Sequence, residues 1–416
     1  MTDTIEVVVR LTISEEDFDV NRLEEGVRAA RDEAGRELLV KVLEALEERA
    51  LENHPEGVRQ RRVERRLDTS LGQGVFQRWR VKQEGKTAGL LDRLLGWARH
   101  GRVSPAVKKR AGELDSRMTY REASLVLSEE LGTRLSAQRV HPWVQAIGAA
   151  VEEQEWAPSP SPPAVAQVGV VEWDDTMVRS QEEGERQFAL KLGIGYSQKQ
   201  RQGPRRYKLT DKVGYGGVEE PGVFGERFYA RMEGPFQVEE AAPVVVKGEG
   251  AEWICLGAAQ VFPGQVFPLD RWHLLDRLAQ FAGHLPRLCK RLRRWVFQGR
   301  VKALVRSLRP LVGAEARSEQ ARQEWLGYVT RHAEAITAGD RLRPPVSPQA
   351  RPLLTHGTGA MEKNLETVMA RRFKRWGLRW RRRGAQHLLK LRLWIARCGT
   401  SWFEALNSRP PQLTNA

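Results

Sequence analysis

The spacing of apolar residues divides the chain into helical and extended stretches. Leu23, Val27, Leu38, Val42, Leu43 and Leu46 recur at helical intervals between charged residues, which predicts helix from residue 1 to about residue 66. Val75, Phe76, Trp79 and Val81 break that rhythm and predict an extended segment within Leu67–Lys82. Leu90–His100 predicts a short amphipathic helix. From Ser104 the pattern reads as a series of short helices. Ser104 followed by Pro105 is a cap with proline at the first helical position. Thr119 caps a helix through Leu131, Gly132 ends it, and Ser136 caps the next. Pro142 falls inside that last helix and predicts a kink or a restart there.

Four prolines within Glu155–Pro163 then interrupt any regular element and mark a domain boundary. Beyond them the rhythm changes. Val165–Glu172, Phe188–Gly195 and Arg206–Val213 read as strands, the last running into a glycine-rich turn at Gly214–Gly217. The short apolar run Ala242–Val246 has the character of a buried central strand. Phe224–Met232, Ala251–Phe262 and His273–Ala282 read as helices, with a strand at Val266–Leu269. This is an α/β domain. Residues 283 to about 340 read as basic helices, and a proline-rich loop, Arg343–Pro352, separates them from a last helical block.

Composition sharpens this. The chain has 416 residues, enough for two or three domains, with 68 Lys and Arg against 53 Asp and Glu and a formal net charge of +15. Such a charge implies an anionic partner. No apolar run reaches the roughly 18 residues of a membrane span, and the N-terminus lacks a secretory signal. The three cysteines, Cys255, Cys289 and Cys398, are too few and too scattered for a disulfide framework or a metal knuckle. A reducing cytoplasm is expected. Nucleic acid is therefore the expected partner, and a membrane is not.

Two basic runs interleaved with Trp strengthen this. Arg371, Arg372, Lys374, Arg375, Arg379, Arg381, Arg382 and Arg383 form one; the other, Arg287–Arg300, includes Arg291, Arg293 and Arg294. Each reads as a grip on a phosphate backbone or as a solvated face. The helical series from Thr119 to Ala150 has the order of a helix-turn-helix, with Gln138, Arg139 and His141 early in the recognition helix; a helical hairpin that merely packs is the other reading.

Carboxylates at the ends of central strands are the candidate chemistry. Glu172, Asp174 and Asp175 close one strand, Glu249 follows another, and Glu362 opens a late helix. Such oxygens suit Mg²⁺ or Mn²⁺, and two ions so held support phosphodiester cleavage and transfer. Taken singly, each also reads as a solvated turn residue or a helix-dipole partner. Asp270 and His273 form a D-x-x-H pair, too few for zinc, for which a structural hydrogen bond is the commoner explanation.

Taken in order, these segments resemble a family. Leu67–Val81, Leu90–Trp97, the helix-turn-helix block, VVEWDDTMV, FALKLGIGY, GEGAEWI, LDRWHLLD and the C-terminal GTGAMEKNLETVMARRFKRWGLRWRRRGAQHLLKLR are similar to bacterial insertion-sequence transposases of the DDE type. The nearest is the ISLre group, akin to Mutator-like transposases. The resemblance implies an α/β RNase H-like catalytic domain with an all-helical insertion, preceded by mostly helical DNA-binding domains including the helix-turn-helix. It puts the three catalytic, metal-binding carboxylates at Asp174, Glu249 and Glu362, with Asp270 and His273 in support and two Mg²⁺ or Mn²⁺ ions between them. The implied partners are DNA, as element ends and target, and a second copy of the chain, at least a dimer on DNA, in the nucleoid. The domains then fall at 1–100, 101–153, a linker at 154–167, 168–282, the insertion 283–352, 353–407 and a tail 408–416.

One position departs from the family. Its second carboxylate is usually Asp, and Glu249 is longer by a methylene, which moves the oxygens by roughly a bond length in a site that needs close geometry. Glu252 is the weaker substitute ligand. Two alternatives follow: a catalytically impaired, transposase-derived DNA-binding protein, and a nuclease of the same fold acting on branched DNA or RNA hybrids.

Overall fold

A computed structural model describes residues 20–53, 58–83, 86–95, 97, 101–156, 170–203, 206–233, 235–236, 244–248, 251–262, 271–309, 319–341 and 359–407. The chain forms two compact units, Met1–Ile147 and Gly148–Ala416.

The first unit opens with the long helix α1 (Val20–Asn53), followed by an antiparallel meander of β1 (Val58–Thr69), β2 (Gly72–Gln83) and β3 (Lys86–Gly89). The helix thus ends well before residue 66. Val58–Arg66, expected to be helical, pairs along β2, with Val58 opposite Lys82 and Arg66 opposite Val75. In hindsight the period is two: Arg62, Glu64 and Arg66 are exposed while Arg65 and Leu67 are buried. Gly72, at φ 98°, turns β1 into β2, and the turn is closed by the Thr69 hydroxyl, which donates to the Gly72 carbonyl at 2.7 Å. Leu43, Leu67, Phe76 and Leu91 form one small core and Ala50, Leu51, Val81 and Leu90 another.

The amphipathic segment after the meander is shorter than expected, because α2 covers only Leu90–Leu94. The helical series follows as α3 (Pro105–Asp115), α4 (Tyr120–Leu131) and α5 (Ala137–Trp156). Ser104 caps α3, Thr119 and Glu122 form a reciprocal capping box on α4, and Gly132 ends α4 in the left-handed conformation at φ 59°. Helix α5 runs through Pro142 as one element, contrary to the expected break. Pro142 lies near the start of the helix, where it removes one bond, to the Gln138 carbonyl, while Val140, Val144, Ile147 and Val151 stay buried along one face.

The second unit is built on a mixed sheet. β4 (Val170–Ser180), β5 (Gln187–Tyr196) and β8 (Val213–Gly217) run antiparallel; β9 (Val245–Lys247) lies parallel to the start of β4 and β10 (Arg379–Trp380) parallel to its end. Between β5 and β8 the chain makes a separate ribbon, β6 (Gln198–Gly203) with β7 (Arg206–Thr210). The strand expected over Arg206–Val213 is therefore two strands, broken at Asp211 with φ 51°. The expected glycine turn is strand β8 itself. Glycine serves close packing there: a Cβ on Gly216 would lie 3.0 Å from the Leu389 and Leu393 side chains.

Helices α6 (Pro221–Glu233) and α7 (Glu252–Val261) cover one face of this sheet. Trp173, Tyr215, Phe224, Phe228 and Phe262 fill the layer between, with the Trp173 ring stacked on Trp253 at 6.0 Å. The other face meets α13 (Gly359–Asn364), which continues through the π-helical Leu365–Ala370 into Arg371–Phe373, and α14 (Arg382–Cys398). The basic C-terminal segment is thus not one helix. It ends a helix, passes through β10 and starts another. Helix α8 (Arg271–Ala282) joins α9 (Pro286–Phe297), α10 (Val301–Leu308), α11 (Glu319–Arg331) and α12 (Ala333–Arg341) around a core of their own, which includes Leu278, Leu292, Leu304 and Trp325. A helical block was expected there.

Candidate active site

Alternation along β4 separates its side chains. Val171 and Trp173 enter the aromatic layer under α6 and α7, so Glu172 and Asp174 lie on the opposite face, about 7 Å apart along the strand. Glu172 is fully buried. Its carboxylate accepts the Tyr196 hydroxyl at 2.6 Å and the Met361 backbone N–H at 3.0 Å. Burial pushes the Glu172 carboxyl above its ordinary range, opposed by Lys247, the Tyr196 hydroxyl, Lys199 and the Met361 N–H. The Met361 bond pins the first turn of α13 to the sheet, and Glu362, the next residue, is exposed there.

Asp174, 9% exposed, accepts the Asp175 backbone N–H at 2.8 Å. Asp175 lies on the helix-covered side. Burial raises its carboxyl, offset by the Trp253 indole and by Lys191 and Lys374. Strand β9 ends with Lys247 in register with Glu172. Glu249 and Asp270 lie outside the described residues, and of His273 only its place in α8 is described. Among the described residues no three metal-ligating side chains converge. Asp174 and Glu362 carry hard oxygen donors of the kind Mg²⁺ takes.

The expected DNA-facing residues separate by exposure. Gln138, Arg139 and His141 are all exposed at the start of α5. Arg139 already donates to Asp68 at 2.5 Å, and His141 packs edge-on to Tyr120 at 4.8 Å. On α9, Arg291, Arg293 and Arg294 are exposed while Leu292 and Val296 are buried beneath them. Arg371, Lys374, Arg375, Arg379, Arg381 and Arg383 are exposed as well. Two members of the run are not open in this way. Arg372 is buried with its guanidinium over the Trp380 ring at 4.9 Å, because the helix ends there and the chain turns back to pair as β10. Arg382 forms an ion pair with Glu185.

Over residues 13–405 the sequence matches an uncharacterised protein family, UPF0236. The chain belongs to that family. A UPF0236 protein of Caldanaerobacter subterraneus subsp. tengcongensis is 22% identical over 383 residues, covering 90% of this chain and 78% of the relative. Another from the same organism is 22% identical over 383 residues, covering 90% and 74%. A UPF0236 protein of Streptococcus gallolyticus, described as in the vanSb 3′ region, is 28% identical over 200 residues, covering 47% of this chain and 44% of its own length. The segments that carried the resemblance to transposases lie within the matched span. Among the described residues no helix is long and apolar enough to cross a membrane.

Several polar residues around the sheet were not anticipated. Lys390 is fully buried, 2.8 Å from Glu155 and with its ammonium 3.5 Å from the Tyr215 ring centroid. Glu219 accepts from Tyr215, Arg227 and Gln386 at 2.7, 2.7 and 2.9 Å. Lys191 donates to the Glu219 carbonyl at 2.6 Å. A lysine inside an apolar run, as in FALKLGIG and HLLKLRLW, was the available signal.

Proposed function

We propose that this UPF0236 chain is a DNA transposase with an RNase H-like catalytic unit. The observation that carries the reading is the Met361 N–H on Glu172, which ties the start of the Glu362 helix to the strand face that bears Asp174. Three antiparallel strands, a helix and then a strand parallel to the first support the RNase H-like reading. The +15 charge supports a nucleic-acid partner, and the reading puts the chain in the nucleoid as a homodimer or larger assembly on two element ends.

In this reading Asp174 and Glu362, with Glu249, hold Mg²⁺ or Mn²⁺. Bound there, the metal supplies activation of water or a 3′-hydroxyl and stabilisation of the leaving oxygen. Tyr196 and the Met361 peptide keep Glu172 in place as a positioning residue. The exposed arginines of α9 and those beside β10 hold phosphates, and the first turn of α5 reads the element ends.

The test is a cleavage assay on DNA carrying the element's terminal sequences, with Mg²⁺ or Mn²⁺, for the wild type, Asp174→Asn and Glu249→Asp. Nicking at the element boundary by the wild type, lost in Asp174→Asn with DNA binding retained, is expected. A second reading rests on Glu249 standing where the related transposases carry Asp: a DNA-binding protein that no longer cuts. It predicts an inert wild type that still binds the ends. Cleavage restored in Glu249→Asp would assign the loss to that one position.

A further inference from the structure

The ribbon β6–β7 has no place in the reading above, and its composition is one-sided. Gln198–Thr210 contains Lys199, Arg201, Arg205, Arg206 and Lys208 and no Asp or Glu. The two strands form a sheet of their own. Arg201, Tyr207 and Lys208 are exposed, and the Lys199 ammonium lies 5.4 Å from the Tyr207 ring centroid. A lone two-stranded ribbon is marginal in water, so what fixes its base matters.

Both ends of the ribbon are rooted beside the candidate carboxylates. On entry, Tyr196, the last residue of β5, donates its hydroxyl to Glu172. On exit, the Lys212 ammonium donates to the Asn364 side-chain oxygen at 2.5 Å, on the helix that carries Glu362. Across the base the Ser197 hydroxyl donates to Asp211 at 2.5 Å and the Ser197 N–H to the Thr210 carbonyl at 3.1 Å. A cationic ribbon with a solvent-exposed aromatic ring beside Lys199 therefore rises from the same residues that position Glu172 and α13.

We propose that the β6–β7 ribbon is an arm that grips the DNA strand end presented to the Asp174–Glu362 face, its lysines and arginines on the phosphates and Tyr207 stacked on an unpaired base. The arm rests on the DNA reading above. Ammonium and guanidinium groups on a ribbon that carries no Asp or Glu of its own suit a phosphodiester backbone. A ring flanked by a cation suits a base, and only a base free of pairing reaches it.

The experiment uses the full chain and two labelled probes, a blunt duplex and the same duplex with a short single-stranded 3′ overhang, titrated by fluorescence anisotropy over a range of salt. The triple variant Lys199→Ala, Arg201→Ala, Lys208→Ala is expected to flatten the dependence of log affinity on log salt by about 2–3. Tyr207→Ala is expected to lose about 5- to 100-fold on the overhang probe and nothing on the blunt one, with Tyr207→Phe near wild type. Melting temperatures equal to wild type separate lost binding from unfolding, and the Tyr207 pair decides the matter if the triple variant fails to fold. A wild-type salt slope in the triple variant, or equal losses on both probes for Tyr207→Ala, overturns the arm and leaves the DNA reading standing. A wild type that binds neither probe overturns both.

Discussion

The two units bury acidic groups beside their sheets in opposite ways. In the first, Asp92 sits between two arginines from neighbouring strands, in an ion pair with Arg78 and 3.8 Å from Arg65, all three buried. In the second, the buried Glu172 accepts hydrogen bonds from neutral donors, a tyrosine hydroxyl and a peptide N–H, and the charges of Lys247 and Lys199 act on it without an ion pair in contact. Asp174, on the same strand face, is 9% exposed. A carboxylate clasped by two guanidiniums is committed to holding its neighbours together. In the proposed reading the strand face that carries Glu172 and Asp174 instead serves a bound cation.

That contrast predicts opposite outcomes for the same isosteric change. Asp174→Asn is expected to lower strand cleavage by about three orders of magnitude or more, with DNA affinity and the melting midpoint at their wild-type values. Single-turnover cleavage beside a thermal melt checks it. Asp92→Asn is expected to do the reverse. It leaves Arg65 and Arg78 buried with no anion between them, at a cost of about 3–5 kcal/mol, read as a lower urea midpoint. Burial already pulls both guanidiniums below their ordinary range, so removing the anion falls on groups that water cannot reach. Unchanged stability in Asp92→Asn, or unfolding in Asp174→Asn, would erase the distinction between the two regions.

How far the sequence exposes these features differs between them. Strand β5, helices α6 to α8 and the caps at Ser104, Thr119 and Gly132 are set by local pattern, and they read correctly from it. Strands β1 and β8 did not, for two physical reasons. β1 is so rich in arginine that its period of two is visible only through burial, and β8 is glycine-rich because α14 packs directly on it. The ordered motifs single out Asp174 and Glu362 as candidates. The hydrogen bonds of Glu172 were not legible, because its partners lie 24 and 189 positions away in the chain. The long basic run was misleading in part. Turning back into β10 buried Arg372, whereas the shorter basic stretch of β6–β7, which no motif marked, stayed open.

A third carboxylate tests the first unit's side of the comparison at lower cost. Glu47 on α1 is 3% exposed, and both its oxygens accept the Trp79 backbone N–H at 3.0 Å. Unlike Asp92 it makes no contact ion pair among the described residues, and burial, opposed by the Trp79 N–H and the charges of Arg78 and Arg62, raises its carboxyl from 4.5 to about 7. The native chain thus binds this proton more tightly than the unfolded chain. The stability it contributes is complete below about pH 4.5 and is lost as pH rises through about 7. At roughly 1.4 kcal/mol per pH unit the loss comes to about 3–4 kcal/mol. Glu47→Gln keeps an oxygen for the Trp79 N–H and removes the titration. Urea unfolding at acid, intermediate and neutral pH is therefore expected to show wild type and variant converging in acid and the variant gaining steadily toward pH 8. Parallel curves would mean that Glu47 is ionised in the fold and that the nearby arginines, Arg62 and Arg78, answer it after all, as they do at Asp92.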